Sequence, residues 1–251
     1  DWLCRRVARG STVAVDGDVL SLAAARRLRE HLERCGATLR SDLDLVDRAW
    51  PERPQPPAAP VWEHRGPEAP HTRADKLARV RAAMRDAGAT HHLVSTVDDV
   101  AWLLNLRGAD VAYNPVFLGH VLLDDARATL FVGTGKVDAA LARALAADGV
   151  AVAPYGDVAA ALAALPADAR LLVDPKRTTL GLVEQSRRGS EIALEASARG
   201  EVAERQRENA QGTALACERN GPGAHRVARL VVEQVERRDA SESRPASIVP
   251  S

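Results

Sequence analysis

The chain contains 251 residues, 46% of them hydrophobic, and its 34 Lys and Arg residues balance its 34 Asp and Glu residues. This length is enough for one large or two small globular domains, and the balanced charge gives no indication of a nucleic-acid partner. No apolar run reaches the ~18 residues that span a bilayer, and no signal core follows the N-terminus, so we expect a cytoplasmic protein that binds no membrane.

Residues 1–50 have the pattern of a partial α/β unit. The β-branched stretch 12–15 predicts a short strand. Ser21 is the predicted N-cap of a helix, and Gly36 occupies the left-handed position after its end. The helix carries an apolar stripe at helical spacing, namely Leu22, Ala25, Leu28 and Leu32. A second strand and a helical turn ending at Trp50 follow, and so small a unit needs a partner surface to bury its apolar side chains.

Half of the 14 prolines lie between residues 51 and 70. Because proline fixes φ and lacks an amide donor, residues 51–71 are predicted to form an extended, semi-rigid linker between two domains. The spacings from Pro51 to Pro54 and from Pro57 to Pro60 also fit PxxP ligands of proline-binding modules. Such spacings arise readily in any proline-rich spacer, so the linker is the preferred interpretation.

Residues 72–185 predict a mixed β-sheet covered by helices. A capping box of Thr72 and Asp75 begins the first helix, and Gly88 ends it. Its apolar stripe consists of Leu77, Val80 and Met84. A second helix is predicted to begin after Thr96, and two more follow at 137–147 and 158–165. Strands are predicted at 91–96, 116–123, 128–132, 150–154 and 171–174.

Residues 186–251 differ in character from the rest of the chain. They contain no lysine and no aromatic residue, and Arg, Glu, Ala, Gly and Ser dominate. With little apolar surface to bury, this tail is predicted to be a frayed helix or disordered. Only three of the 34 basic residues are lysines, a bias typical of GC-rich DNA, in which wrong reading frames often stay open. The tail is therefore a candidate frameshift product, and the chain, which begins with Asp1, is predicted to be incomplete.

The segment from Asp98 to Phe117 carries the most specific pattern in the chain. It reads DDVAWLLNLRGADVAYNPVF and resembles the middle domain of the long Xaa-Pro aminopeptidases, the aminopeptidase P family. The flanking stretches 45–54 and 171–180 also resemble that family, so that the resemblance covers residues 1–185. It implies an α/β fold of the creatinase/prolidase N-terminal type, a mixed β-sheet covered by helices. A partial α/β unit precedes this sheet, and a poorly structured or helical tail follows it.

Membership of that family implies a three-domain enzyme. Two α/β domains precede a catalytic domain that holds two divalent metal ions, commonly manganese. The complete enzyme removes an N-terminal residue that precedes proline, with metal-bound hydroxide as the nucleophile. None of the family's metal ligands can be placed in this chain, whose tail contains His225 as its only histidine. The resemblance therefore implies a non-catalytic N-terminal portion that holds no metal cofactor, is inactive alone, and meets peptide substrate only in the complete enzyme.

The loop between Arg107 and Pro115 is the candidate functional segment. If it faces the catalytic domain, it shapes the substrate cleft or a subunit contact through Arg107, Asp110, Asn114 and Pro115. In the alternative, Arg107 pairs with Asp110 and Asn114 forms a turn, so that these residues only hold the loop together. Four further residues form a structural signature around the loop, namely Trp102, Asn105, Gly108 and Phe117.

Other residue patterns that suggest a site are better explained by structure. His91 and His92 are adjacent on a predicted strand and point to opposite faces, so at most one of them faces a given site. The pair Asp98-Asp99 lies at a helix N-terminus, where carboxylates cap free amides, and Asp124-Asp125 forms a hairpin turn. The tryptophans are predicted to be buried anchors: Trp2, Trp50, Trp62 and Trp102.

Two further functions stay open. One is a stand-alone module that binds a peptide or protein, or forms a homodimer through the middle domain. The other is an enzyme of a new type with Cys4 or Cys35 as nucleophile, although the sequence shows no histidine base for either. Cys4, Cys35 and Cys217 are widely spaced and include no CxxC pair, so they are predicted to be reduced, structural thiols.

Overall fold

The structure, a computed structural model, describes residues 2–44, 47, 49–67 and 69–186. The predicted tail after residue 186, and residues 45, 46 and 48 of the helical turn before Trp50, lie outside these residues. Within the described part of the chain, no helix is long and apolar enough to cross a membrane. The domain boundaries predicted after residues 50, 71 and 185 stay predictions.

The N-terminal segment contains two helices and a small parallel sheet. Helix α1 spans Trp2–Arg6, and strands β1 (Thr12–Ala14) and β2 (Thr38–Arg40) pair in parallel on either side of helix α2 (Leu22–Arg34). The predicted cap of α2 is confirmed, because the Ser21 side chain accepts a hydrogen bond from the Ala24 amide. Gly36 has the left-handed φ of 73° that was expected after the helix.

A disulfide joins Cys4 to Cys35, with their Cα atoms 5.5 Å apart. The prediction of reduced thiols is therefore wrong for this pair. The two cysteines are 31 residues apart, and only the packing of α1 against α2 brings them together. Spacing along the chain carries no sign of such a contact. Cys217 lies outside the described residues.

The main sheet has five strands and is mixed, as predicted. In spatial order it consists of β8 (Val150–Pro154), β7 (Ala128–Val132), β6 (Gly119–Leu123), β4 (His91–Val94) and β9 (Leu171–Val173). The central strands β4, β6 and β7 are antiparallel, whereas both edge strands pair in parallel with their neighbours. The predicted hairpin between β6 and β7 is confirmed. A second, two-stranded sheet pairs β3 (Trp62–Glu63) with β5 (Leu106–Arg107).

Helices cover both faces of the main sheet. Helices α3 (Arg73–Asp86), α4 (Val97–Leu103) and α5 (Ala139–Ala147) contribute to the larger apolar core on one face. Helices α6 (Val158–Ala163) and α7 (Leu180–Ser186) contribute to the core on the other face. Successive side chains of a strand point to opposite faces of the sheet, which explains this division. On β4, for example, Val94 belongs to the larger core and the adjacent Leu93 to the other core. The capping box of Thr72 and Asp75 is confirmed at the start of α3.

The N-terminal segment packs against α7 and the loop before it. Leu22 and Ala25 of α2 form a buried cluster with Leu180 and Val183 of α7. Two backbone hydrogen bonds join the same parts of the chain, from Leu22 N to Thr178 O at 2.9 Å and from Ala23 N to Pro175 O at 2.7 Å. The partner surface that this segment needs is thus supplied by residues that follow the main sheet.

Three of the four tryptophans are exposed, so the prediction of buried anchors is wrong for them. Trp2 lies on the short helix α1, Trp50 lies before the proline-rich stretch, and Trp62 lies on the two-residue strand β3. All three positions lie outside the layers that bury the main sheet. Only Trp102 packs against the larger core, with the Lys76 Nζ atom 4.3 Å from the centre of its ring.

Candidate functional site

The candidate residues lie on one closed loop that follows β5. Three backbone hydrogen bonds close it: Gly108 N to Pro115 O at 3.2 Å, Asp110 N to Val116 O at 3.1 Å, and Asn114 N to Val111 O at 3.2 Å. We call residues 108–116 the tip loop. The structure therefore brings Asp110, Asn114 and Pro115 together in one hairpin-like unit, with Arg107 at its base.

The tip loop is anchored by a buried ion pair between Asp110 and Lys136. Both side chains are almost completely inaccessible to solvent. The Asp110 carboxylate also accepts a hydrogen bond from the Leu118 amide at 2.8 Å, and Lys136 Nζ donates to the Pro57 carbonyl at 3.2 Å. One lysine thus ties the loop and the proline-rich stretch to the main sheet. The alternative in which Asp110 pairs with Arg107 is wrong.

Lys136 is the residue of this site that sequence reasoning missed. It lies 26 positions after Asp110, and no local pattern links the two. One signal was available, because the chain uses arginine almost everywhere and contains only three lysines. Two of them, Lys76 and Lys136, are buried. Lys76 donates to the Trp102 carbonyl at 2.9 Å and to Asn105 Oδ1 at 2.7 Å.

Arg107 is partly buried, and within the described part of the chain its side chain donates only to backbone carbonyls. Its Nη1 atom contacts Leu106 O at 2.8 Å and Ala101 O at 3.3 Å. Burial lowers the pKa of the guanidinium. Among the described residues, no carboxylate lies within ion-pair distance of it. Arg107 also pairs with Trp62 across the β3–β5 ladder, which places an exposed indole next to a cation without an anionic partner.

The signature residues fix the chain on either side of the tip loop. Asn105 has a positive φ of 51°, and its Nδ2 atom donates to the His71 carbonyl at 2.9 Å. Phe117 is fully buried in the larger core. A Cβ atom at Gly108 would lie 2.6 Å from the Cβ atom of Phe117. The two segments are therefore too close together for any residue other than glycine at position 108.

Replacing Gly108 with alanine is expected to lower the free energy of unfolding by about 1–3 kcal/mol, because the added methyl group overpacks the contact with Phe117. Urea denaturation of the purified chain measures this change. Gly156→Ala is the matched control, since a Cβ atom there meets nothing within 4 Å, and its effect should stay within about 0.5 kcal/mol. Equal effects of the two substitutions would contradict the packing argument.

Tyr113 lies within the tip loop, and its side chain is fully exposed. Its φ of 62° is in the left-handed region, which costs a bulky L-residue about 1 kcal/mol or more relative to glycine. No packing within the described residues offsets this cost, because the ring is in solvent. Sequence reasoning did not single out Tyr113, since nothing local in the sequence indicates a positive φ at a tyrosine.

The remaining histidine and aspartate pairs lie on regular elements and in a turn of the fold. His92 is buried, its Nδ1 atom lies 2.9 Å from the Leu172 carbonyl, and burial lowers its pKa. Asp98 and Asp99 lie in the first turn of α4, and Asp124 accepts hydrogen bonds from the amides of the turn between β6 and β7. Within the described part of the chain, no three His, Cys, Asp or Glu side chains are grouped so that they hold a metal ion.

The chain is similar in sequence to a known domain family and to several known proteins. Residues 52–202 match the creatinase/prolidase N-terminal domain. The probable Xaa-Pro aminopeptidase P of Neosartorya fischeri is 32% identical over 183 residues, which are 72% of this chain and 27% of that protein. Aminopeptidase P2 of Arabidopsis thaliana is 31% identical over 187 residues, which are 73% of this chain and 26% of that protein. The chain thus spans about a quarter of the length of these curated relatives.

A solved structure has the same fold. The X-prolyl aminopeptidase of Caenorhabditis elegans, described as a cytosolic enzyme with a di-nuclear active site, superposes with a TM-score of 0.70 and 23% sequence identity. The superposition covers 79% of this chain and 33% of that one. At this level of identity the likeness shows the fold.

Proposed function

The chain belongs to the creatinase/prolidase N-terminal domain family, and on this premise we propose that it is the non-catalytic N-terminal portion of a metal-dependent Xaa-Pro aminopeptidase. The match of residues 52–202, together with relatives named Xaa-Pro aminopeptidase P, carries this proposal. The complete enzyme releases an N-terminal residue that precedes proline, and peptide substrate binds to that complete enzyme.

The described residues do not fit a two-metal centre. Such a centre needs several carboxylate and imidazole ligands held within a few ångströms of each other by a folded scaffold. The described part of the chain offers no group of three such side chains. Of the two buried histidines among these residues, His92 bonds to a backbone carbonyl, and the His120 ring packs against the Tyr155 ring with their centres 4.9 Å apart. Two divalent ions, commonly manganese, therefore belong to the catalytic part of the proposed enzyme.

In this proposal the tip loop and Arg107 form a contact with the catalytic part or with a second subunit. Trp62, Arg107 and Tyr113 are the residue types that contribute most energy at protein interfaces. Within the described residues, Arg107 donates to two backbone carbonyls and to no carboxylate, and Tyr113 combines a left-handed backbone with a fully exposed ring. Strain of this kind is typical of functional positions. Asp110, Asn114 and Pro115 hold the loop that presents them.

The proposed location is the cytoplasm. The Caenorhabditis elegans relative is described as cytosolic, which supports this proposal. The Cys4–Cys35 disulfide speaks against it, because disulfides are rare in reducing compartments. The redox state of this pair is measured in cell extracts prepared with the thiols blocked at lysis. A reduced pair would support the cytoplasm, and an oxidised pair would speak against it.

The assignment of catalysis to another part of the enzyme is tested by assay. The purified 251-residue chain is incubated with MnCl2 and a peptide whose second residue is proline, and release of the first residue is followed by mass spectrometry. We expect no release above that seen with EDTA. The full-length Caenorhabditis elegans X-prolyl aminopeptidase serves as the positive control for the assay. Mn²⁺-dependent release that requires proline at position two would overturn the proposal.

A stand-alone dimerisation or binding module is the second candidate function. It is favoured by one specific observation, the edge strand β8, which among the described strands pairs only with β7. This candidate requires no catalytic domain, so it is tested independently of the aminopeptidase assay.

A further inference from the structure

The Cys4–Cys35 disulfide joins two partly exposed residues. Helix α1, which carries Cys4, has no buried residue, and Cys35 is the C-cap of α2. A disulfide is opened by a thiolate that attacks one of its sulfur atoms, and this attack requires access from solvent. Partial exposure on a helix without buried residues provides that access. The bond is therefore a candidate reaction site as well as a link between α1 and α2.

The two stretches that carry these cysteines are rich in arginine. Residues 2–9 and 31–36 contain four arginines and one carboxylate, Glu33. The four arginines are all exposed, namely Arg5, Arg6, Arg9 and Arg34. The chain as a whole carries no net charge, so this positive excess is local. It favours the approach of small anions to the disulfide.

Arg9 is brought next to Cys35 by the fold. Gly10 N donates to Gly36 O at 2.6 Å, and the Arg9 Nε atom lies 3.4 Å from the position that a Cβ atom would occupy at Gly36. The ion pairs between described residues in 2–60 are made by other arginines, namely Arg29, Arg40 and Arg53. Among the described residues, Arg9 and Arg34 thus have no carboxylate partner, and their charge is available to an anion from solution.

We propose that the Cys4–Cys35 bond is an exchange site for small thiols that carry carboxylates, the class to which glutathione belongs. The thiolate of one molecule attacks a sulfur atom, the bond between the cysteines breaks, and a mixed disulfide and one cysteine thiolate form. A second molecule attacks the mixed disulfide and releases the other cysteine. In total, two electrons and two protons pass from two small thiols to the cysteines, and the small thiols leave as their own disulfide. The arginines act by attracting the carboxylates.

Cys35 is the sulfur that is attacked, and Cys4 is the one that leaves. Arginines flank both cysteines, so the rest of the surroundings decides. A thiolate at Cys35 would lie at the C-terminal end of α2, where the helix dipole is negative. Its Sγ atom is also the nearer of the two to the His31 carbonyl oxygen, at 3.0 Å against 3.5 Å for Cys4 Sγ. Cys4 is therefore the better leaving group, and the mixed disulfide forms on Cys35.

The rate at which the full chain is reduced tests the proposal. The two probes are 3-mercaptopropionate and 2-mercaptoethanol, which are similar in size and differ in that only the first carries a carboxylate. New cysteine thiols are trapped by alkylation and counted by mass spectrometry, and rates are compared at equal concentrations of thiolate. We expect the carboxylate to give at least a ~5-fold advantage at low salt, because local positive charge raises the encounter rate of an anion. The advantage should disappear in about 1 M NaCl, where the screening length is about 3 Å.

Arg9→Glu should reduce this advantage at least ~2-fold, because it reverses a charge beside the attacked sulfur. Arg143→Glu is the matched control, since it changes the net charge equally at an exposed arginine of α5. That helix covers the face of the main sheet opposite to α7, against which the N-terminal segment packs, so the control should keep the full advantage. Unchanged melting temperatures would show that both variants are folded. If Arg9 only holds α1 in place, its loss should raise both rates alike and leave their ratio unchanged.

Equal rates with the two probes overturn the proposal, and so does a bond that neither probe reduces. A ratio that Arg9→Glu leaves unchanged, or that Arg143→Glu lowers as much, also overturns it. Peptide mapping of samples quenched early should find the mercaptopropionate adduct on Cys35 and the alkyl group on Cys4. The opposite distribution would overturn the order of the two steps. None of these results bears on the aminopeptidase assay, so the two proposals fail separately.

Discussion

Lys136→Met is expected to lower the free energy of unfolding by about 3–5 kcal/mol, because it leaves the buried Asp110 carboxylate without a counter-ion. The lost ammonium group also donates to the Pro57 carbonyl, so the proline-rich stretch loses this hydrogen bond and keeps the backbone bond from Val61 N to Lys136 O. Denaturation by urea measures the change, provided that the transition of the variant is still a single step.

Two further variants separate the buried charge from the loss of a long side chain. Adding Asp110→Asn to Lys136→Met removes the unpaired charge and keeps an acceptor for the Leu118 amide, so at least half of the lost stability should return. Lys176→Met removes an exposed lysine and should change stability by no more than about 0.5 kcal/mol. If the double variant is as unstable as Lys136→Met alone, the ion pair is not the source of the effect.

Elements with a local signal could be predicted from the sequence. The caps at Ser21 and Thr72 and the left-handed Gly36 are each specified by a few adjacent residues, and all are found in the structure. The hairpin between β6 and β7 is specified in the same way by the turn residues between its strands. The mixed sheet followed from the order of these elements, because strands alternating with helices, with one hairpin among them, leave few other arrangements.

Features that depend on contacts between distant residues could not be predicted. Asp110 and Lys136 lie on either side of the β6–β7 hairpin in the sequence, and Arg107, which is closer to Asp110 along the chain, is held by carbonyls instead. The tryptophans were expected to be buried because of their size, yet burial depends on whether a covering layer exists where they lie. The strained backbone of Tyr113 is likewise imposed by the closed tip loop and not by the residue itself.

Reduction of the Cys4–Cys35 disulfide is expected to lower the stability of the N-terminal segment by about 3–4 kcal/mol. The bond closes a loop of 31 residues that contains β1 and α2, and opening this loop restores conformational freedom to the unfolded chain. The midpoint of denaturation should therefore fall when a phosphine reductant is added. Under non-reducing, denaturing conditions, thiol titration should count one free cysteine of the three, namely Cys217.

Serine variants distinguish the disulfide from other effects of the reductant. Cys35→Ser should have the same low midpoint with and without reductant, and its partner Cys4 should become titratable. Cys217→Ser should keep the full response to reductant, because that cysteine takes no part in the bond. Three titratable thiols in the untreated protein would show that the bond does not form. In that case the packing of α1 against α2 would have to hold the N-terminal helix in place by itself, and α1 has no buried residue with which to do so.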